Sequence, residues 1–148
     1  MVWKPDVTVA ALVERAGRFL CVEEHTIDGL RLNQPAGHLE AGESLVEACV
    51  REALEETAHH VAVESLVGIY QWPRPDRDVT YLRFAFACRV LSEEAGRALD
   101  DGILQAVWLT PDELTANAAR HRSPMVARCL ADYLAGRRFP LDLVRHYG

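Results

Sequence analysis

Residues 34–57 restrict this chain more than any other stretch. A glycine-punctuated loop, Gln34-Pro-Ala-Gly-His-Leu-Glu-Ala-Gly-Glu43, runs into a segment that reads as a helix with three carboxylates on one side. Ser44, with Glu47 three positions on, fits a capping box and marks the helix start. Leu45, Cys49 and Ala53 fall on one stripe, and Val46, Val50 and Leu54 on the next, giving Ser44–Thr57 a broad apolar face. Glu52, Glu55 and Glu56 stand at i, i+3 and i+4, so their carboxylates share one side within about one turn. Like charges at that spacing disfavour an isolated helix by about 0.2–0.5 kcal/mol per pair. Within the helix only Arg51, flanked by Glu47 and Glu55, offers compensation. A merely solvated face more often interleaves the two signs. Clustered carboxylate oxygens suit a hard divalent cation such as Mg²⁺, which keeps several waters and shares phosphate oxygens with a substrate. Spacing alone leaves two readings open, a metal site and an exposed acidic helix with no task. The loop favours the first. Gly37 and Gly42 permit backbone conformations that other residues resist, so a main-chain carbonyl can stand beside the helix as a further ligand.

The rest of the composition bounds what such a site can serve. The 148 residues are 26% charged and 49% hydrophobic, as expected for one domain spanning 1–148. At this length folding buries roughly 68–70% of the unfolded surface, enough for a core without staples. Lys+Arg is 16 and Asp+Glu is 22, a formal charge of -6, and six of the acids (Glu40, Glu43, Glu47, Glu52, Glu55 and Glu56) crowd this one region. That balance argues against nucleic-acid polymers and anionic membranes as partners, because both reward basic patches. The start lacks the pattern of a signal peptide, and no apolar run reaches the 18 or more residues of a membrane span. Cys21, Cys49, Cys88 and Cys129 are widely spaced among apolar neighbours, with no C-x-x-C pair. They are expected to be reduced core thiols of a cytoplasmic protein. Without a long heptad or an obvious apolar patch, the expectation is a monomer with no obligate protein partner.

Strands are expected at Val7–Val13, Phe19–Val22, Leu30–Gln34, Val61–Tyr70, Val79–Val90 and Ile103–Leu109. Arg15–Arg18 and Asp28-Gly29 read as turns, and Pro35 stops the third strand. A short helix opens at Thr110-Pro111, and another runs from Ser123-Pro124 to about Ala135, with Gly136 as its stop. Strands and helices without strict alternation predict an α/β (α+β) fold, a mixed sheet packed between helices.

Gly37, Glu43, Arg51-Glu52 and Glu55-Glu56 together resemble the signature of the Nudix hydrolases, G-x5-E-x7-R-E-U-x-E-E-x-G-U, where U is a bulky aliphatic residue. Every charged position is present at its spacing. Ala53, Ala58 and His59 depart from the pattern, and the last two bear on the turn after the helix. An alanine there costs about 1 kcal/mol if left-handed geometry is needed. Pro5–Ala10, Asn33–Glu40, Gln71-Trp72, Leu82–Phe86, Arg122–Pro124 and Gly136–Leu141 extend the similarity to a phosphatase branch of the same family.

The resemblance implies a Nudix fold and Mg²⁺-dependent hydrolysis, with Mn²⁺ as the alternative cation. Its implied substrates are nucleoside di- and triphosphates, thiamine diphosphate and the pyrimidine pyrophosphate precursor of thiamine, with release of phosphate. It implies Glu52 and Glu56 as direct ligands, Glu55 as ligand or base, and the Gly37 carbonyl as a further ligand. Arg51 would orient the glutamates, and Glu43 would support Arg51.

Outside the motif, Asp100 and Asp101 are read either as an extra carboxylate or as a plain turn before Gly102. Trp72 is a candidate platform for a substrate ring, or a tryptophan packing at a strand end. Arg83 is a candidate phosphate partner, or the partner of a structural acid. Gln34 and His38 bracket the loop entrance as candidate substrate contacts, and Arg120–Arg122 reads as a surface cluster. Two other activities compete with phosphate release. One is pyrophosphohydrolysis of ADP-ribose or a dinucleotide polyphosphate. The other is a nucleotide-binding module without turnover, which the retained, mutually repelling acids disfavour.

Overall fold

A computed structural model describes residues 2–148. β1 (Asp6–Arg15) is its hub, and the aliphatic run that marks it as a strand is buried from Val9 to Val13. Its first part pairs in parallel with β6 (Thr80–Glu93), Asp6 opposite Tyr81 through Val13 opposite Cys88. On its other side it meets the short β4 (Ala36–His38), and its last two residues turn to β2 (Arg18–Thr26). β5 (His59–Pro73) lies antiparallel to β6, while β3 (Gly29–Asn33) and β7 (Ile103–Leu109) flank β2. The parallel β1–β6 pairing among otherwise antiparallel strand pairs makes the seven-stranded sheet of the described residues mixed, as expected.

α1 (Leu45–Thr57) covers one face. Ala48, Cys49 and Ala53 pack on Val9, Ala11, Val13, Phe86 and Cys88. Ala53, smaller than the residue the family pattern prefers, is wholly buried there. α2 (Pro111–Ala116) and α3 (Met125–Leu134) cover the other face through Leu114, Cys129 and Leu130. The four cysteines are free and buried, and among the described residues no helix is long and apolar enough to cross a membrane.

The helix punctuation follows its expected chemistry. Ser44 Oγ accepts from the Glu47 N–H at 3.0 Å, and the Glu47 carboxylate accepts from the Ser44 N–H at 2.9 Å. Thr110 and Glu113 repeat that box before α2. Gly136 (φ 81°) ends α3. At the end of α1, Ala58 adopts the left-handed conformation (φ 59°), and its N–H still donates to the Leu54 carbonyl at 2.9 Å. The turn therefore forms with alanine in the glycine position, and the chain bears the steric cost. His59 fills the aliphatic position as a buried ring. Its Nδ1–H donates to the Thr57 carbonyl at 2.6 Å, and its edge meets Trp108.

Several elements differ from expectation; β2, for one, runs on to Thr26 past its expected end at Val22. β4 forms inside what reads as a loop, because its edge finds β1. β5 starts at His59 and runs 15 residues with three register shifts, which local periodicity obscures.

Candidate active site

A cleft of about 460 Å³ opens where α1, β4, the β5–β6 end and the start of α3 converge. α1 contributes one wall, and its organiser is Arg51. The guanidinium grips Glu43 with two hydrogen bonds, Nε to Oε2 at 3.0 Å and Nη2 to Oε1 at 2.7 Å. Nη1 donates to Glu52 at 2.7 Å and Glu55 at 3.2 Å, and Nη2 donates to the His38 carbonyl at 3.0 Å. One planar fork thus ties the loop to the acidic face of the helix, a geometry that lysine lacks. The hydrogen bonds from Arg51 hold the Glu43 carboxyl below its usual range, and those from Glu43 hold the Arg51 guanidinium well above its own. Glu52 behaves differently: burial outweighs its bond to Arg51, and its carboxyl is pushed up.

Glu52 and Glu55 offer oxygens that lie, with one from Asp100, within 4.8 Å of one another. Asp100 reaches them because its N–H donates to the Glu55 carbonyl at 3.0 Å, which docks the loop on the end of α1. Of the Asp100-Asp101 pair, Asp100 is the one in this cluster. Glu56 also lines the cleft but stands apart from the trio, with Oε1 accepting from the Ala36 N–H at 3.0 Å. Burial raises its carboxyl to about 9.

Gly37 owes its identity to this wall. A Cβ built there would fall inside the Glu52 carboxylate. The strand pleat also corrects the expected carbonyl ligand. Leu39 N–H donates to the Val7 carbonyl and Ala11 N–H to the Pro35 carbonyl, so Gly37 and Val9 form the hydrogen-bonded pair between them. The Gly37 peptide groups therefore face β1. Ala36 and His38 turn theirs toward α1, as the Ala36 N–H to Glu56 and the His38 carbonyl to Arg51 demonstrate. The main-chain carbonyl on the carboxylate side is that of Ala36.

The opposite wall is cationic and aromatic. Arg83 is buried yet lines the cleft, and among the described residues it meets no structural acid. Nη1 donates to Gln34 Oε1 at 3.0 Å and Nη2 to Asn33 Oδ1 at 3.0 Å. Gln34 does not line the cleft, contrary to its expected place as a substrate contact. It is 2% exposed, and its Nε2 donates to the Val126 carbonyl at 2.9 Å, so it braces Arg83 against α3. Trp72 lines the cleft and stacks on Tyr81, centroids 5.8 Å apart at 16°. His38 sits at the rim with an exposed imidazole 3.4 Å from Asp6. Sequence reasoning missed Asn33, Arg74 and Tyr81, and it left Arg122 on the surface; all four line the cleft. The alternation of Tyr81 and Arg83 on one strand was the signal for Tyr81. Arg74 and Arg122 arrive through loops that carry none.

The carboxylate wall fits a divalent cation, since it offers hard oxygen donors in a cradle kept open by a glycine. A family model for the NUDIX domain matches residues 3–129. The phosphatase NudJ of Escherichia coli (strain K12) is 42% identical over 143 residues, covering 96% of this chain and 92% of its own length. A NUDIX hydrolase structure from Nitrosomonas europaea is 50% identical with a TM-score of 0.95, covering 97% of this chain and 98% of that one. An ADP-ribose pyrophosphatase structure from Streptococcus suis is 19% identical with a TM-score of 0.67, covering 98% and 97%, a likeness of fold.

Proposed function

This chain belongs to the Nudix hydrolases, enzymes acting on phosphoanhydride bonds, and from that membership we propose that it releases phosphate, with Mg²⁺, from nucleoside di- and triphosphates and thiamine-type pyrophosphates. The observation that carries the reading is the Arg51-clamped pair Glu52 and Glu55 converging with Asp100 at one end of a cleft whose other end is aromatic and cationic. The similarity to a phosphatase supports terminal phosphate release over internal cleavage.

Nudix hydrolases use divalent metals, and we assign Mg²⁺, with Mn²⁺ as a substitute, to Glu52, Glu55, Glu56 and Asp100 together with the Ala36 carbonyl. When bound, such a cation neutralises phosphate oxygens and acidifies water. The protein's own part is positional. Arg51 keeps Glu52 and Glu55 oriented, and Glu43 keeps Arg51 oriented. Glu55, half-buried and hydrogen-bonded to Arg51, is either a ligand of the cation or the base that takes the proton of the attacking water. Burial raises the Glu56 carboxyl, and a bound cation would favour its deprotonated form. Trp72 and Tyr81 form the platform for the organic ring. Substrates are small molecules, with no nucleic-acid polymer, membrane or obligate protein partner, and the four buried thiols support a cytoplasmic setting.

Incubation with a panel of nucleotides, thiamine diphosphate and ADP-ribose, with and without a chelator, tests this. Stepwise orthophosphate that vanishes with the chelator is expected. Two organic phosphates would indicate pyrophosphohydrolysis, and no turnover a binding module. Glu52→Gln and Glu56→Gln are expected to abolish release with folding intact.

A further inference from the structure

Four arginines line the cleft, and three are matched by acids. Arg51 has its glutamates, Arg74 pairs with Asp76 at 2.7 Å, and Arg122 lies 3.8 Å from Glu24. Arg83 is the exception. It is 3% exposed, and among the described residues it makes no salt bridge. Its partners are two neutral amide oxygens, on Gln34 and Asn33, and the Cys129 sulfur at 3.7 Å, while its Nε has none. A buried cation is ordinarily paired, because desolvation without an opposite charge is costly. Nor is the side chain loose. Gln34 is itself pinned to α3, so the guanidinium is presented to the cleft in one orientation before anything binds. Tyr81 lies two residues earlier on the same face of β6, about 7 Å along the strand, and Trp72 covers it.

We propose that Arg83 is the residue that determines specificity for the organic half of the substrate, receiving the phosphate that stays on the ring after cleavage. The inference rests on the phosphoanhydride reading above. The charge Arg83 lacks is the one the substrate brings, and its nearness to the aromatic pair selects the ring-bound phosphate over the departing one. Gln34 and Asn33 act through Arg83 as positioning residues, and a neutral ring system without a phosphate gains nothing from the arrangement.

The experiment compares the wild-type protein with Arg83→Gln and Arg83→Lys. Binding of AMP and of inorganic phosphate is titrated in chelator, Mg²⁺ binding is titrated separately, and KM and kcat are measured on ADP. One charge-assisted contact corresponds to roughly 10–100-fold in affinity. Arg83→Gln is expected to weaken AMP binding and raise KM by that factor. Mg²⁺ affinity should stay within about twofold, and inorganic phosphate, which offers Arg83 the same charge without the ring, should weaken in the same direction as AMP. Arg83→Lys, which keeps the charge without the fork, should fall between. Unchanged AMP affinity overturns the proposal, as does a loss confined to inorganic phosphate. If Arg83→Gln fails to fold, Arg83→Lys decides alone: a folded Lys variant that binds AMP as tightly as wild type refutes it. Absence of chelator-sensitive turnover in the wild type would instead strike the broader reading.

Discussion

Replacing Gly37 by alanine tests the carboxylate wall at its tightest point. The added methyl would fall inside the Glu52 carboxylate, more than about 1 Å short of the roughly 3.5–4.0 Å at which carbon atoms rest. Backbone cannot yield easily, because β4 is held to β1 on one side and its Ala36 N–H to Glu56 on the other. The Glu52 side chain must therefore swing away. Doing so stretches its 2.7 Å bond from Arg51, an interaction of the charged kind worth about 1.5–3 kcal/mol. It also takes one donor out of the cluster with Glu55 and Asp100. A displacement of about 1 Å at a reacting centre costs on the order of 10²-fold in rate. The assay is phosphate release from a nucleoside diphosphate against Mg²⁺ concentration, with thermal melting in parallel. Gly37→Ala should lose about 10²-fold in kcat and need more Mg²⁺ for half-saturation. Gly96→Ala is the control. Its Cβ meets nothing within 4 Å, but its φ of +81° strains alanine, so it should lose stability and keep its rate. Wild-type kcat and Mg²⁺ response in Gly37→Ala would refute the reasoning.

Ala58→Gly relieves the left-handed alanine at the end of α1 and should raise stability by about 0.5–1 kcal/mol, read from urea midpoints at unchanged slope. The raised Glu56 carboxyl predicts a pH dependence of the metal-free protein. Folded Glu56 keeps a proton up to about 9 that the unfolded chain releases near 4.5, so stability falls as pH rises between those values, by at most about 1.4 kcal/mol per pH unit. Saturating Mg²⁺, which binds the deprotonated form, should flatten or reverse that slope in chelator-controlled melts. Trp72→Ala removes a stacking surface valued at about 1–3 kcal/mol and should raise KM for ring-bearing diphosphates roughly tenfold to a hundredfold with kcat nearly unchanged.

What the sequence made legible was local. The capping box at Ser44, the spacing of Glu52, Glu55 and Glu56, and the left-handed demand on Ala58 all lie within one helix and its ends, where 3.6-residue periodicity and backbone sterics suffice. The neighbour relations of the opposite wall escaped because they depend on pairing. Nothing near Arg83 reveals that it sits beside Gln34 rather than an acid; the parallel β1–β6 register and the packing of α3 decide that. The resemblance implies the Gly37 carbonyl as a ligand, and the loop-like sequence of that segment hides its strand pleat. Once it is a strand, alternation assigns that direction to Ala36. Asp100 was legible as a carboxylate but not as a neighbour of Glu55, since a loop-to-helix contact joins them.

The two walls also differ in how far the chain must travel to build them. Arg51 meets Glu43 across 8 residues, and Glu56 meets Ala36 across 20. Arg83 finds Gln34 across 49 residues, and Gln34 finds Val126 across 92. Closing the longer loops costs more entropy and belongs to the slow part of assembly. During refolding the α1 part of the carboxylate wall should therefore take shape first, while Asp100, 45 residues from Glu55, and the cationic wall wait for later segments to dock. A refolding chain would then pass through a stage that captures a cation before it recognises a nucleotide. Recovery of Mg²⁺ affinity ahead of AMP affinity in refolding time courses would mark that stage, and simultaneous recovery would show that the two walls form as one cooperative unit.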